Sequence, residues 1–185
     1  VAGSIDIDSG DVGNGGSTNY VTGTRSGNTT LSLQNEGNNT EVAYVSTTVL
    51  TDVTLNNFEY VETYLQNASG VNLTVTGAQQ GRLVTGVGAD TININAALVD
   101  GTDSLSMRIE SGDGSDNITY TSGHSSLSAL IYAGGGVDDI TIIGTSSVTT
   151  YGQEGDDTIS GGAGVDRIYG GLGNDDINGN SGNHR

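Results

Sequence analysis

Apolar positions along this chain recur at short range. VNLTVTG (71–77) and TININ (91–95) alternate apolar and polar residues one by one, the two-residue period of a strand with one buried face. TTLSL, EVAYVSTTVL, DVTLNNF and YVETYL repeat the habit of short β-branched runs, and no segment carries the sustained stripe of an amphipathic helix. The longest apolar runs are a few residues, which fits neither a signal peptide nor a membrane-spanning helix. The pattern predicts an all-β chain. Strand signals separated by roughly ten to twenty residues suit one continuous solenoid better than a separate β-sandwich, with wider coils over residues 1–84 forming solenoid wall or N-terminal cap. A solenoid end needs such a cap to shield it from edge pairing.

A tighter pattern appears further on. Gly152 to Asn178 divides into three nine-residue units, GQEGDDTIS, GGAGVDRIY and GGLGNDDIN, which share the scheme G-x-x-G-x-D-x-I-x. Weaker copies precede them: AGGGVDDIT (133–141), SGDGSDNIT (111–119), LVDGTDSLS (98–106) and TGVGADTIN (85–93). All seven keep glycine two residues before an aspartate, and Ile or Leu two residues after it. Glycine lets the backbone bend through positive φ and turn its carbonyls inward, and the aspartate adds a carboxylate beside them. The short run T-I-S, R-I-Y or D-I-N then reads as a strand whose central Ile159, Ile168 or Ile177 points inward to stack. Two units complete an 18-residue coil, so Asp157 lies over Asp175. Regular spacing holds from 152 onward, while the earlier coils carry longer turns. Tyr132, Tyr151 and Tyr169 repeat at nearly the same interval and are read as a stiffening stripe on one face in preference to a sugar-binding platform.

Composition narrows the partners. Against 22 acidic residues stand 5 arginines and no lysine, a formal net charge of −17. Nucleic acid and anionic membranes repel such a chain, and its natural small partner is a cation. There is no cysteine, so neither a disulfide framework nor a thiolate metal site is available. The 31 glycines recur between β-branched runs as turn formers. The chain opens on Val1 and stops within a further partial repeat, GNSGNHR, so we read it as part of a longer polypeptide, and any export signal would lie outside it.

The nonapeptide is the known calcium-binding repeat of RTX proteins, and the chain resembles that hemolysin-type family, most closely over 152–178. The resemblance implies a right-handed parallel β-roll or β-solenoid, with Ca²⁺ bound in the turns of residues 85–185. By position, the motif carboxylates are Asp90, Asp103, Asp116, Asp138, Asp157, Asp166 and Asp175, and turn carbonyls come from Gly152, Gly161, Gly164, Gly170 and Gly173. His184 occupies the next aspartate place, which leaves Asp166 without its usual partner one coil on. The resemblance also implies export by a type I secretion system and a secreted or cell-surface setting. The Thr/Asn/Gly-rich first half favours a structural module of adhesin or surface-layer type, whose expected partners besides calcium are further copies of itself or other surface proteins. The alternative is the C-terminal folding module of an exoenzyme such as a protease, lipase or epimerase.

Catalysis finds little support. No G-x-S-x-G elbow is present, His124 sits in the polar run TSGHSSLS and reads as a solvated loop residue, and the repeat already uses Asp138 and Asp157 of the paired acids. Asp6, Asp8 and Asp11 in SIDIDSGD resemble a calcium loop only faintly, since the glycine and closing glutamate of an EF-hand are misplaced. They read otherwise as loop-solvating acids. The Asn28 and Asn72 sequons follow from an Asn/Thr-rich composition.

Overall fold

The computed structural model describes residues 3–8, 20–23, 29–35, 41–48, 50–56, 58, 60–97 and 106–182. Among these every regular element is a strand: β1 (Gly3–Asp8), β2 (Tyr20–Gly23), β3 (Thr29–Asn35), β4 (Glu41–Thr47), β5 (Leu50–Asn56), β6 (Tyr60–Leu65), β7 (Asn72–Thr76), β8 (Gln80–Val84) and β9 (Thr91–Ala96). The series continues with β10 (Ser106–Asp113), β11 (Asn117–Ser122), β12 (Ser128–Gly135), β13 (Asp139–Gly144), β14 (Ser147–Glu154), β15 (Thr158–Ser160), β16 (Arg167–Leu172) and β17 (Asp176–Asn178).

From β4 onward the chain alternates between two sheets and every pairing is parallel. One sheet runs β17-β15-β13-β11-β9-β7-β5-β1-β2, the other β16-β14-β12-β10-β8-β6-β4-β3. Each strand therefore hydrogen-bonds to the strand two places on, and the product is a parallel β-solenoid. Only the N-terminal ends break the rule, since β2 lies antiparallel to β1 and β3 antiparallel to β4. The pairing passes without a break from β6 to β8 to β10.

Alternation decides the core. In β6 the pattern is strictly out and in, with Val61, Thr63 and Leu65 inside. Parallel, in-register pairing then stacks like on like: Val53, Leu73, Ile92, Ile118, Ile140, Ile159 and Ile177 form one aliphatic row through the first sheet. Of the expected isoleucine stacking, Ile159 and Ile177 share this row, one 18-residue coil apart. Nine residues is half a coil, so Ile168 belongs to the opposite wall, where it pairs with Thr150. At the C-terminal end of the rod Ile177 is 45% exposed. Strand length differs from expectation too: TIS and DIN are three-residue strands, but RIY continues through two glycines to Leu172. SIDID is a strand paired with β5 instead of a loop, and Asp11 lies outside the described residues.

Candidate metal centre

Every described connection from the second sheet back to the first, from β8 onward, ends on a motif aspartate. Asp90 precedes β9, and Asp116, Asp138, Asp157 and Asp175 precede β11, β13, β15 and β17 in turn. These five form a column joined by hydrogen bonds. The amide of Asp90 donates to Asp116 Oδ1 at 2.8 Å, that of Asp116 to Asp138 Oδ1 at 2.9 Å, that of Asp138 to Asp157 Oδ1 at 3.0 Å, and that of Asp157 to Asp175 Oδ1 at 3.1 Å. At the head of the column Val71 donates its amide to Asp90 Oδ1 at 2.7 Å. Coil lengths along this edge shorten from 26 residues to 22, 19 and 18 without breaking the register, because the extra residues are absorbed elsewhere in the coil.

The electrostatics of the column call for a cation. Asp90, Asp116, Asp138 and Asp157 are at most 2% exposed, and in each the second oxygen, Oδ2, is buried with no hydrogen-bond partner. Burial pushes Asp90 and Asp138 up to about 6, with the neighbouring carboxylates adding to the rise. It raises Asp116 and Asp157 as well. A buried, unpartnered carboxylate oxygen is costly, and a column of them repels itself.

The donor chemistry can be tested against calcium, the ion of this repeat. All the donors on offer are hard oxygens. Among the described residues no three acidic, histidine or cysteine side chains converge, so backbone carbonyls must supply most of the six to eight oxygens that calcium takes. Gly152 shows how they are admitted: a Cβ there would stand 2.2 Å from Asp157 Oδ2 and 2.5 Å from the Gly170 carbonyl oxygen. At Gly170 the corresponding atom would lie 1.9 Å from Asp175 Oδ2. Glycine thus leaves room for a carboxylate and a carbonyl of the next coil to converge, and the residues present fit a hard divalent cation.

The opposite edge is built differently. Asp166 follows β15, is fully buried, and accepts at both oxygens, from the Val148 amide at 2.9 Å and the Gly162 amide at 2.8 Å. The carbonyl of Gly161 accepts from the Asn180 side-chain amide. Gly164 and Gly173 are close-packing positions, where an added Cβ would lie 2.0 Å from the carbonyl oxygens of Ser146 and Gly155. Asp103 and His184 lie outside the described residues. His124 is exposed in the turn after β11.

On the outer face of the second sheet the tyrosines form the expected ladder. Tyr132 and Tyr151 stack with ring centroids 5.0 Å apart at 7°, and Tyr151 and Tyr169 at 4.8 Å and 6°. The rings face one another along the rod, which is the arrangement of a stiffening stripe. Arg108 caps the stack, 4.6 Å from the Tyr132 centroid, and shares Glu110 with Arg82 at 2.6 and 2.8 Å. Reading the sequence missed this Arg82–Glu110–Arg108 cluster. Arg108 and Glu110 share β10, but Arg82 joins them only when a coil of 26 residues is stacked.

Residues 151–183 match the RTX calcium-binding nonapeptide repeat, in 4 copies. No curated protein and no solved structure matches the chain. On the C-terminal end of a parallel β-solenoid, this chain carries the calcium-binding RTX repeat.

Proposed function

We propose that the chain is a calcium-stabilised structural module of a secreted or cell-surface protein of adhesin or surface-layer type, and that its C-terminal coils close only once calcium is met outside the cell. One observation carries this reading: the column of stacked aspartates along a single edge, in which Asp138 and Asp157 each keep a buried oxygen that has no partner. Asp138, Asp157 and Asp175 with the carbonyls around Gly152 and Gly170 form the main binding edge. Bound calcium supplies two positive charges between carboxylates that otherwise repel.

The chain's own part is to hold those oxygens in register. The hydrogen bonds from each aspartate's backbone N–H to the next carboxylate fix the carboxylates one coil apart, and glycine at the head of the regular unit keeps the space beside them open. Because the glycine-rich backbone has much entropy to lose, ion binding contributes directly to folding free energy. Extracellular calcium modules bind at roughly 10⁻⁴ to 10⁻³ M, a range that leaves sites empty in a cytosol and filled outside. The antiparallel strands β2 and β3, which close the N-terminal ends of both sheets, fit a cap.

A calcium titration followed by circular dichroism tests the reading, with Asp157→Ala and Asp175→Ala alongside. A cooperative gain of β signal near millimolar calcium, weakened by either substitution, is the expected result. The same β content in chelator and in calcium overturns the folding switch.

A further inference from the structure

The first residue of the nonapeptide stands five positions before its column aspartate. Read back from the C-terminus, the residues in that place are Gly170, Gly152, Ala133, Ser111 and Thr85. They occupy one inward row of the second sheet, beside the carboxylate column. Side-chain size along the row grows from nothing to a methyl group and then to a hydroxyl.

Where the hydroxyls begin, the hydrogen bonding changes. Ser111 Oγ donates to the Ala133 carbonyl at 2.7 Å, and Thr85 Oγ1 donates to the Ser111 carbonyl at 2.8 Å. In both cases the acceptor is the first residue of the unit one coil on. The equivalent acceptor in the regular repeat is the Gly170 carbonyl, which faces the space left open by Gly152.

We propose that the hydroxyls of Ser111 and Thr85 take the place of the ion in the turns of Asp116 and Asp90, so that calcium along this edge is restricted to the turns of Asp138, Asp157 and Asp175. The proposal rests on the column being a calcium edge. Its physical basis is that a hydroxyl proton already occupies the carbonyl that an ion needs, which neither alanine at 133 nor glycine at 152 and 170 can supply. One fold thus holds two versions of the same turn, one closed by hydrogen bonds and one by metal, and the metal-free coils form a template on which the others build.

Counting bound calcium on the full chain, by equilibrium dialysis at saturating calcium, tests this. Asp116→Asn is expected to bind as many ions as the parent, since Asn keeps the Oδ1 acceptor for Asp90. Ser111→Gly, which recreates the regular repeat, is expected to bind one ion more. Loss of an ion in Asp116→Asn, or no gain in a folded Ser111→Gly, overturns the proposal. If Ser111→Gly does not fold, Asp116→Asn alone decides. Asp157→Asn reports separately on the reading underneath: it should lose an ion, and an unchanged count in the folded variant refutes the calcium edge itself.

Discussion

Gln153 holds φ at 84°, one of two non-glycine residues among those described with a positive value. Its partners in register are Gly134 and Gly171, which are positive-φ glycines, so the column demands a conformation that glutamine takes at a cost. Gln153→Gly should therefore raise stability by about 1 kcal/mol, read as a shift in urea midpoint at saturating calcium. Gly155 is the opposite case: a Cβ there would stand 1.4 Å from the Gly136 carbonyl oxygen, at a φ of 137°. Gly155→Ala combines a backbone clash with strain and should destabilise by about 3 kcal/mol, seen as loss of β signal even with calcium present. Glycine's place in the repeat was legible at this scale because its reason is local. The strain at Gln153 was not, since a glutamine gives no sign of the backbone it is forced to adopt.

Between neighbouring strands, stacking sets the terms. Tyr151 contributes to two ring stacks and Tyr169 to one, so Tyr151→Ala should cost about 1–3 kcal/mol and Tyr169→Ala roughly half that, by denaturant unfolding. The aspartate column makes the elements sensitive to pH. Folding raises Asp90, in the part that stays closed without calcium, from the ordinary 3.8 to about 6, so the folded chain binds a proton more readily than the unfolded chain does. In chelator, stability should rise as pH falls from 7 through 6 toward 4, and be lost again as pH rises. Calcium needs the ionised carboxylates, so its apparent affinity should fall over the same window. Urea midpoints at pH 7.5 and 5.5, with and without calcium, measure both effects. The column itself was partly legible: the 18-residue interval predicts Asp157 over Asp175, but successive aspartates 13 residues apart hide the fact that Asp90 and Asp116 share an edge. Only sheet register identifies 26 residues as a single coil.

The described coils form an acidic rod that is built on different terms along its length. At the N-terminal end the sheets close with antiparallel strands, and the coils from β4 onward carry a continuous aliphatic interior. In the regular repeat that interior narrows to Ile159 and the partly buried Ile168, and the carboxylate column takes over. Removing calcium should therefore open the rod from one end. Limited proteolysis in chelator, mapped by mass spectrometry, is expected to cut first within 136–182 and to spare 60–97. Because the net charge is −17, about 0.5 M sodium chloride should recover part of that loss by screening repulsion among the exposed acidic side chains.

Sequence by itself determined the class of the fold, the nine-residue unit, the identity of its carboxylates and the kind of ion they suit. Strand alternation, glycine turns and hard oxygen donors are local properties, written in neighbouring residues. Tertiary structure alone decided which aspartates share an edge, why Asp166 meets amides while Asp157 keeps a free oxygen, and which first residues place a hydroxyl where others leave a gap. Those facts depend on residues 18 to 26 positions apart being brought into contact, and insertions within a coil change the sequence interval without changing the spatial one.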